Sequence, residues 1–80
     1  MLVYILFSEK PSRYYVGQTA NIEDRLKRHN AGRVISTKNG MPWKLVKQFP
    51  VEGRSEALKL ERKIKKRGAE RFLDDLNKKI

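Results

Sequence analysis

The segment Leu2-Val3-Tyr4-Ile5-Leu6-Phe7 constrains this chain more than any other. It is a continuous run of aliphatic, β-branched and aromatic residues, the mark of a well-buried strand. With Met1 it makes seven apolar residues, far too few to span a bilayer. It also lacks the basic n-region and small-residue cleavage site of a secretory signal. A β-strand is the reading that fits, in a chain expected to be soluble, intracellular and cytoplasmic. With 80 residues in all, the expectation is one domain over residues 1–80. A chain of this size buries about 60% of the surface it exposes when unfolded, so the core is thin. There is no cysteine, which removes disulfides, zinc–thiolate sites, iron–sulfur clusters and cysteine nucleophiles together.

Turn chemistry follows the first strand at Ser8-Glu9-Lys10-Pro11-Ser12, where Pro11 cannot continue a ladder. Arg13-Tyr14-Tyr15-Val16-Gly17 resumes strand composition, which predicts a β-hairpin with a longer loop. Asn21 is suited to cap a helix, with Glu23 and Asp24 in its first turn. Ile22, Leu26 and His29 or Asn30 recur at helical spacing until Gly32. Residues 33–42, with Gly40 and Pro42, read as a basic loop, and Trp43 to Phe49 as a third strand ending at Pro50. Ser55 reads as the cap of a second helix running to about Arg67, broken by Gly68. Ala69 to about Lys79 reads as a short last helix with Phe72, Leu73 and Leu76 on one face. The expected class is α+β: a small three-stranded antiparallel sheet packed with helices, in the order β-β-α-β-α-α.

Charge narrows the partners. Nineteen Lys and Arg against nine Asp and Glu give a formal charge of +10, an excess that seeks a polyanion. Nucleic acid fits better than a membrane surface, because the basic helices lack a large Trp/Phe/Leu face opposite their lysines. The expected partner is DNA, with RNA as a second polyanion. No small-molecule cofactor or protein partner is indicated.

Three features exceed the needs of a minimal α+β domain. Ala57, Leu60, Glu61 and Ile64 follow the spacing of an inward-facing helical stripe, yet one of them is a carboxylate. Such a Glu either sits at the stripe's edge, reaching water or pairing with a lysine, or it binds a cation. Arg25 and His29 are neighbours on one face of the first helix, flanking its apolar stripe. A single histidine excludes a multi-histidine metal site, and both residues also fit ordinary packing or surface roles. Tyr4 and Tyr15 lie in adjacent expected strands, where a matched register brings both rings onto one face. Tyrosines so placed also serve as amphipathic core.

Taken together, these residues resemble a known set. Leu2-Val3-Tyr4 followed by Tyr15-Val16-Gly17 is similar to the paired motif that names the GIY-YIG nuclease superfamily. Arg25 and His29 stand where that superfamily places residues of its first helix, and Ser55 to Lys65 resembles its metal-binding helix, with Glu61 at the glutamate position. Lys38 to Val46 is similar to the loop and third strand of small stand-alone members related to the nuclease domain of the bacterial excision-repair nuclease. The first motif reads LVY in place of GIY with its tyrosine kept, and the second reads YVG. Asn77 is a candidate for the asparagine that often follows the glutamate helix.

The resemblance implies metal-dependent hydrolysis of a phosphodiester in DNA, directed by substrate structure more than by sequence. Glu61 is the expected ligand of Mg²⁺ or Mn²⁺, since magnesium needs only one or two carboxylates beside water and substrate oxygens. Arg25 is expected to hold non-bridging phosphate oxygens. Tyr4 is the candidate base, its phenol depressed by nearby cations, with Tyr15 and His29 orienting water or phosphate. Gly17 is expected to let substrate approach the backbone closely. Lys27, Arg28, Lys38, Lys44 and Lys65, with Arg33 and Lys47, are expected to track phosphates. The alternative is a module of the same fold that binds nucleic acid without turnover.

Overall fold

The computed structural model describes residues 1–78; the expected end of the last helix at Lys79 lies outside the described residues. Strand β1 (Leu2–Ser8) is central, with β2 (Arg13–Thr19) on one side and β3 (Lys44–Pro50) on the other. Both pairings are antiparallel. The elements follow in the order β1, β2, α1 (Ile22–Asn30), a 3₁₀ turn over Ile35–Gly40, β3, α2 (Arg54–Arg67) and α3 (Ala69–Asn77). This is the expected α+β class with its three-stranded antiparallel sheet.

Because side chains alternate across a strand, β1 presents two different surfaces. Val3 and Ile5 point to one side, where Val16, Ala57 and Ile64 complete a buried apolar cluster under α2 and α3. Tyr4 and Leu6 point to the other, where they pack with Trp43 and are flanked by Tyr15, Ile22 and Leu26. The +10 chain thus holds its thin core as two small clusters on either side of one strand. No helix among the described residues is long and apolar enough to cross a membrane.

Three local expectations change. The basic loop contains a turn of 3₁₀-helix, with Thr37 and Gly40 buried within it. Tertiary hydrogen bonds hold it there: Trp43 Nε1 donates to the Thr37 carbonyl over 2.7 Å. Asn30 brackets the Trp43 backbone, accepting from its N–H over 2.6 Å and donating to its carbonyl over 3.1 Å. Second, α2 starts at Arg54 after Gly53, with no side-chain cap, so Ser55 lies inside the first turn. Third, β3 runs from Lys44, and Trp43 instead turns inward as a core residue, 5% exposed. The helix stops hold as expected: Gly32 and Gly68 take the left-handed backbone at φ 73° and 92°, which favours glycine.

Candidate active site

Register places the tyrosines. Tyr4 pairs with Gly17, and Tyr15 pairs with Leu6 two residues along, so both phenols lie on the same side of the sheet. Their ring centres are 6.3 Å apart. The Tyr4 ring lies across β2, and glycine at 17 makes room for it. A Cβ there would stand 2.5 Å from the Tyr4 hydroxyl and 2.7 Å from Cζ. Gly17 is buried, so the close approach it permits is made by Tyr4 and not, as expected, by substrate.

Helix α1 supplies the next layer. Asn21 caps it, its side chain accepting from the Asp24 N–H over 3.1 Å, which fixes the helix start and points His29 down onto the sheet. The His29 ring is fully buried. Its Nε2 lies 2.9 Å from the Tyr4 hydroxyl, and its Nδ1 lies 2.7 Å from Thr37 Oγ1. The Tyr15 ring meets it edge-on at 5.0 Å. With both nitrogens engaged inside the protein, His29 faces Tyr4, not the water or phosphate it was expected to orient.

Electrostatics at this cluster run opposite to the expected depression of a phenol. Burial, then the neighbouring Tyr15, and more weakly the Glu61 carboxylate, push the Tyr4 hydroxyl up from 10.0 to about 12; the Arg25 guanidinium pulls the other way. Burial, helped by the Arg25 charge, lowers the His29 pKa below its ordinary 6.5. The pair therefore rests as a neutral phenol beside a neutral imidazole. Arg25 leans over the same point, and its Nε is buried without a hydrogen-bond partner.

Glu61 comes from the other side of the sheet, on the α2 stripe with Ala57 and Ile64. Its side chain is 15% exposed. Gln18 Nε2 donates to its Oε1 over 3.2 Å, and Lys65 Nζ, one helical turn on, sits 2.6 Å from its Oε2. The carboxylate is thus inward, at the stripe's edge and lysine-paired, all at once. It lies close enough for its charge to act on the Tyr4 phenol, so Tyr4, Tyr15, Arg25, His29 and Glu61 converge around the β2 edge at Gly17.

The expected phosphate-tracking residues scatter. Lys27, Arg28 and Arg33 line one shallow hollow beside α1, where Arg28 pairs with Asp24 over 3.1 Å. Lys38 and Lys47 are exposed. Lys44 instead pairs with Glu9 at the hairpin loop over 3.1 Å, and Lys65 is held by Glu61. Asn77 does not join the glutamate: it lines a cleft with Tyr14, Val46 and Lys47. Tyr14 stands four residues along β2 from Gln18, roughly 13 Å at strand spacing.

Two residues of the cluster escaped the sequence. Thr37 is one polar residue in a polar loop, with no periodicity to mark it. Gln18 carried a signal, since its parity in β2 matches Val16 and Tyr14 on the helix-covered side, where a polar residue needs a partner.

Residues 1–72 match the GIY-YIG catalytic domain. The chain belongs to that family, whose superfamily is one of endonucleases, hydrolases that generally work with divalent metals on nucleic acid. A UPF0213 protein of Syntrophus aciditrophicus (strain SB) is 44% identical over 66 residues, covering 80% of this chain and 75% of that protein. No solved structure matches.

Proposed function

We propose that the chain is a metal-dependent endonuclease that hydrolyses phosphodiester bonds in DNA and selects its substrate by shape. The observation that supports this reading most is the Arg25 Nε, buried and without a partner beside the hydrogen-bonded pair Tyr4–His29. An unsatisfied buried donor costs roughly 1–3 kcal/mol. A non-bridging phosphate oxygen is the acceptor that a guanidinium fork matches best.

Among the described residues there is no cluster of three or more His, Asp or Glu side chains. One carboxylate fits magnesium all the same, because that ion keeps several waters and takes further oxygens from substrate phosphate. Glu61 is the residue that would hold it, with Gln18 fixing the carboxylate's other oxygen. Bound there, Mg²⁺ or Mn²⁺ supplies charge to the scissile phosphate and the departing oxygen.

Tyr4 handles the proton. A phenol pushed up to about 12 is not a standing phenolate, so it accepts a proton from an attacking water only by passing its own onward. His29 Nε2, 2.9 Å away and neutral, is the place for it. The two thus act as a relay, and the low pKa of the imidazole keeps its lone pair available at neutral pH. Tyr15 is half-buried and braces His29 edge-on. No helix-turn-helix or comparable reading element stands among the described elements, which favours recognition of shape over sequence.

The test is cleavage of supercoiled plasmid and branched DNA with Mg²⁺ or Mn²⁺ against EDTA, by the parent and by Glu61→Gln. The parent is expected to nick only with metal, and Glu61→Gln to bind DNA and keep its fold without nicking. Binding by the parent without metal-dependent nicking would select the non-catalytic module instead.

A further inference from the structure

Thr37 belongs to no part of the site so far, yet it is 1% exposed and 2.7 Å from the buried imidazole. Its hydroxyl has one proton to give. The Val34 carbonyl stands 3.3 Å from Oγ1 and can only accept. The hydroxyl proton therefore goes to Val34, and toward His29 the oxygen can only accept. The chain of donors is then fixed in one direction. His29 carries its proton on Nδ1 and donates it to Thr37, Nε2 is bare, and Tyr4 must donate into it.

We infer that Thr37 is a positioning residue that holds His29 in its Nδ1–H tautomer and so turns the Tyr4 hydroxyl's proton inward, leaving its lone pairs for the substrate side. With the opposite tautomer, Nε2–H would donate to Tyr4, and the phenol's own proton would point toward substrate, where it could not accept one. The 3₁₀ turn is built to keep this hydroxyl in place. Its Thr37 carbonyl takes the Trp43 indole N–H at 2.7 Å, and its Thr37 N–H bonds the Val34 carbonyl at 3.1 Å. Gly40 packs against the same indole. The titratable groups around the ring are Tyr4 from β1, Tyr15 from β2 and Arg25 from its own helix. The 3₁₀ turn contributes only the threonine, which does not titrate.

This inference deepens the nuclease reading and rests on it for its catalytic consequence, but its main test does not need activity. The chain has one histidine, so a long-range proton–nitrogen NMR correlation on nitrogen-15-labelled protein, free of metal and DNA, reads His29 alone. The parent is expected to show a protonated Nδ1 and a bare Nε2 at pH 7 to 8. Thr37→Ser keeps the hydroxyl and should keep that signature. Thr37→Val removes it and should move the proton to Nε2 or mix the two forms. Thr37→Ala, which places no methyl against Nδ1, is the second variant should valine unfold the turn, with the same expected change. Single-turnover cleavage should drop about 10–100-fold in the variants lacking a hydroxyl and return in Thr37→Ser. A parent with Nε2 protonated overturns the inference, as does a Thr37→Val or Thr37→Ala protein that keeps the Nδ1–H form. The expected tautomer in a protein that never cleaves would leave Thr37's role standing and remove the nuclease mechanism.

Discussion

The two sides of β1 are built on different principles. Beneath α2 and α3, the buried residues Val3, Ile5, Val16, Ala57 and Ile64 are all apolar. Non-directional burial holds that side, and many combinations of similar volume would serve. Beneath α1 and the 3₁₀ turn, Tyr4, Leu6 and Trp43 share their space with His29 and Thr37, which are 0% and 1% exposed. There, each buried polar group has to be matched in direction as well as in shape. Hydrogen bonds of this kind add about 0.5–1.5 kcal/mol each at best, because water competes for the same groups in the unfolded chain. Their larger effect is to fix the proton positions. One side of the strand keeps the chain folded, and the other spends its burial on orientation.

Replacing Ile64 with alanine breaks the comparison from the folding side. Ile64 is fully buried in the apolar cluster, so the change should cost about 2–5 kcal/mol. In a domain of this size Tm should fall by about 10 °C or more. The His29 NMR signature of the folded protein should stay as in the parent. A loss below about 1 kcal/mol would mean that the apolar side is not the main support.

Alkaline titration sharpens it from the other side. Tyr4 ionises near 10.0 when unfolded and only at about 12 when folded, so the folded state holds its proton longer. This contribution is complete below pH 10 and fades as pH rises through 12, to a total of about 3 kcal/mol. Denaturant midpoints of the parent and of Tyr4→Phe, followed from pH 9 to 12, should show the decline steeper in the parent. Parallel curves would mean that the phenol is not held protonated by burial.

Gly17→Ala tests the seam between phenol and strand. The new methyl would press on the Tyr4 hydroxyl and Cζ from 2.5 and 2.7 Å, and the ring must move. About 1–3 kcal/mol of stability should be lost. Cleavage should fall further than that loss explains, since the displaced hydroxyl leaves His29. A variant that cleaves like the parent would uncouple Gly17 from the placement of Tyr4.

These features were unequally legible in the sequence. The apolar run over Leu2–Phe7 and the helical stripes of α1 and α2 are periodic, and periodicity survives tertiary context. The glycine stops at 32 and 68 were legible because they need a positive φ. The site residues Tyr4, Tyr15, Arg25, His29 and Glu61 stood out by spacing and by being polar where the pattern called for apolar. Glu61 and Lys65 are four apart on one helix, so their pairing was readable and bears on how a lysine expected to meet DNA is held. The 3₁₀ turn was not readable, because bonds from Trp43 and Asn30 shape it and no local propensity does. The direction of the Tyr4 pKa was likewise hidden: it depends on how completely the ring is covered, at 1% exposure, and sequence does not carry that.

Single-turnover cleavage of branched DNA by Tyr4→Phe and Tyr15→Phe, each beside a melting curve, tests the central claim most directly. Tyr4→Phe keeps the ring and its packing while removing the one hydroxyl that contacts His29 Nε2. It should melt close to the parent and cleave about 10²–10⁴-fold more slowly, the range for a lost proton-transfer group. Tyr15→Phe should lose less. A Tyr4→Phe protein that cleaves at the parent's rate while Tyr15→Phe is inactive would place proton transfer on the half-buried tyrosine of β2. Full activity in both would contradict the tyrosine–histidine relay altogether.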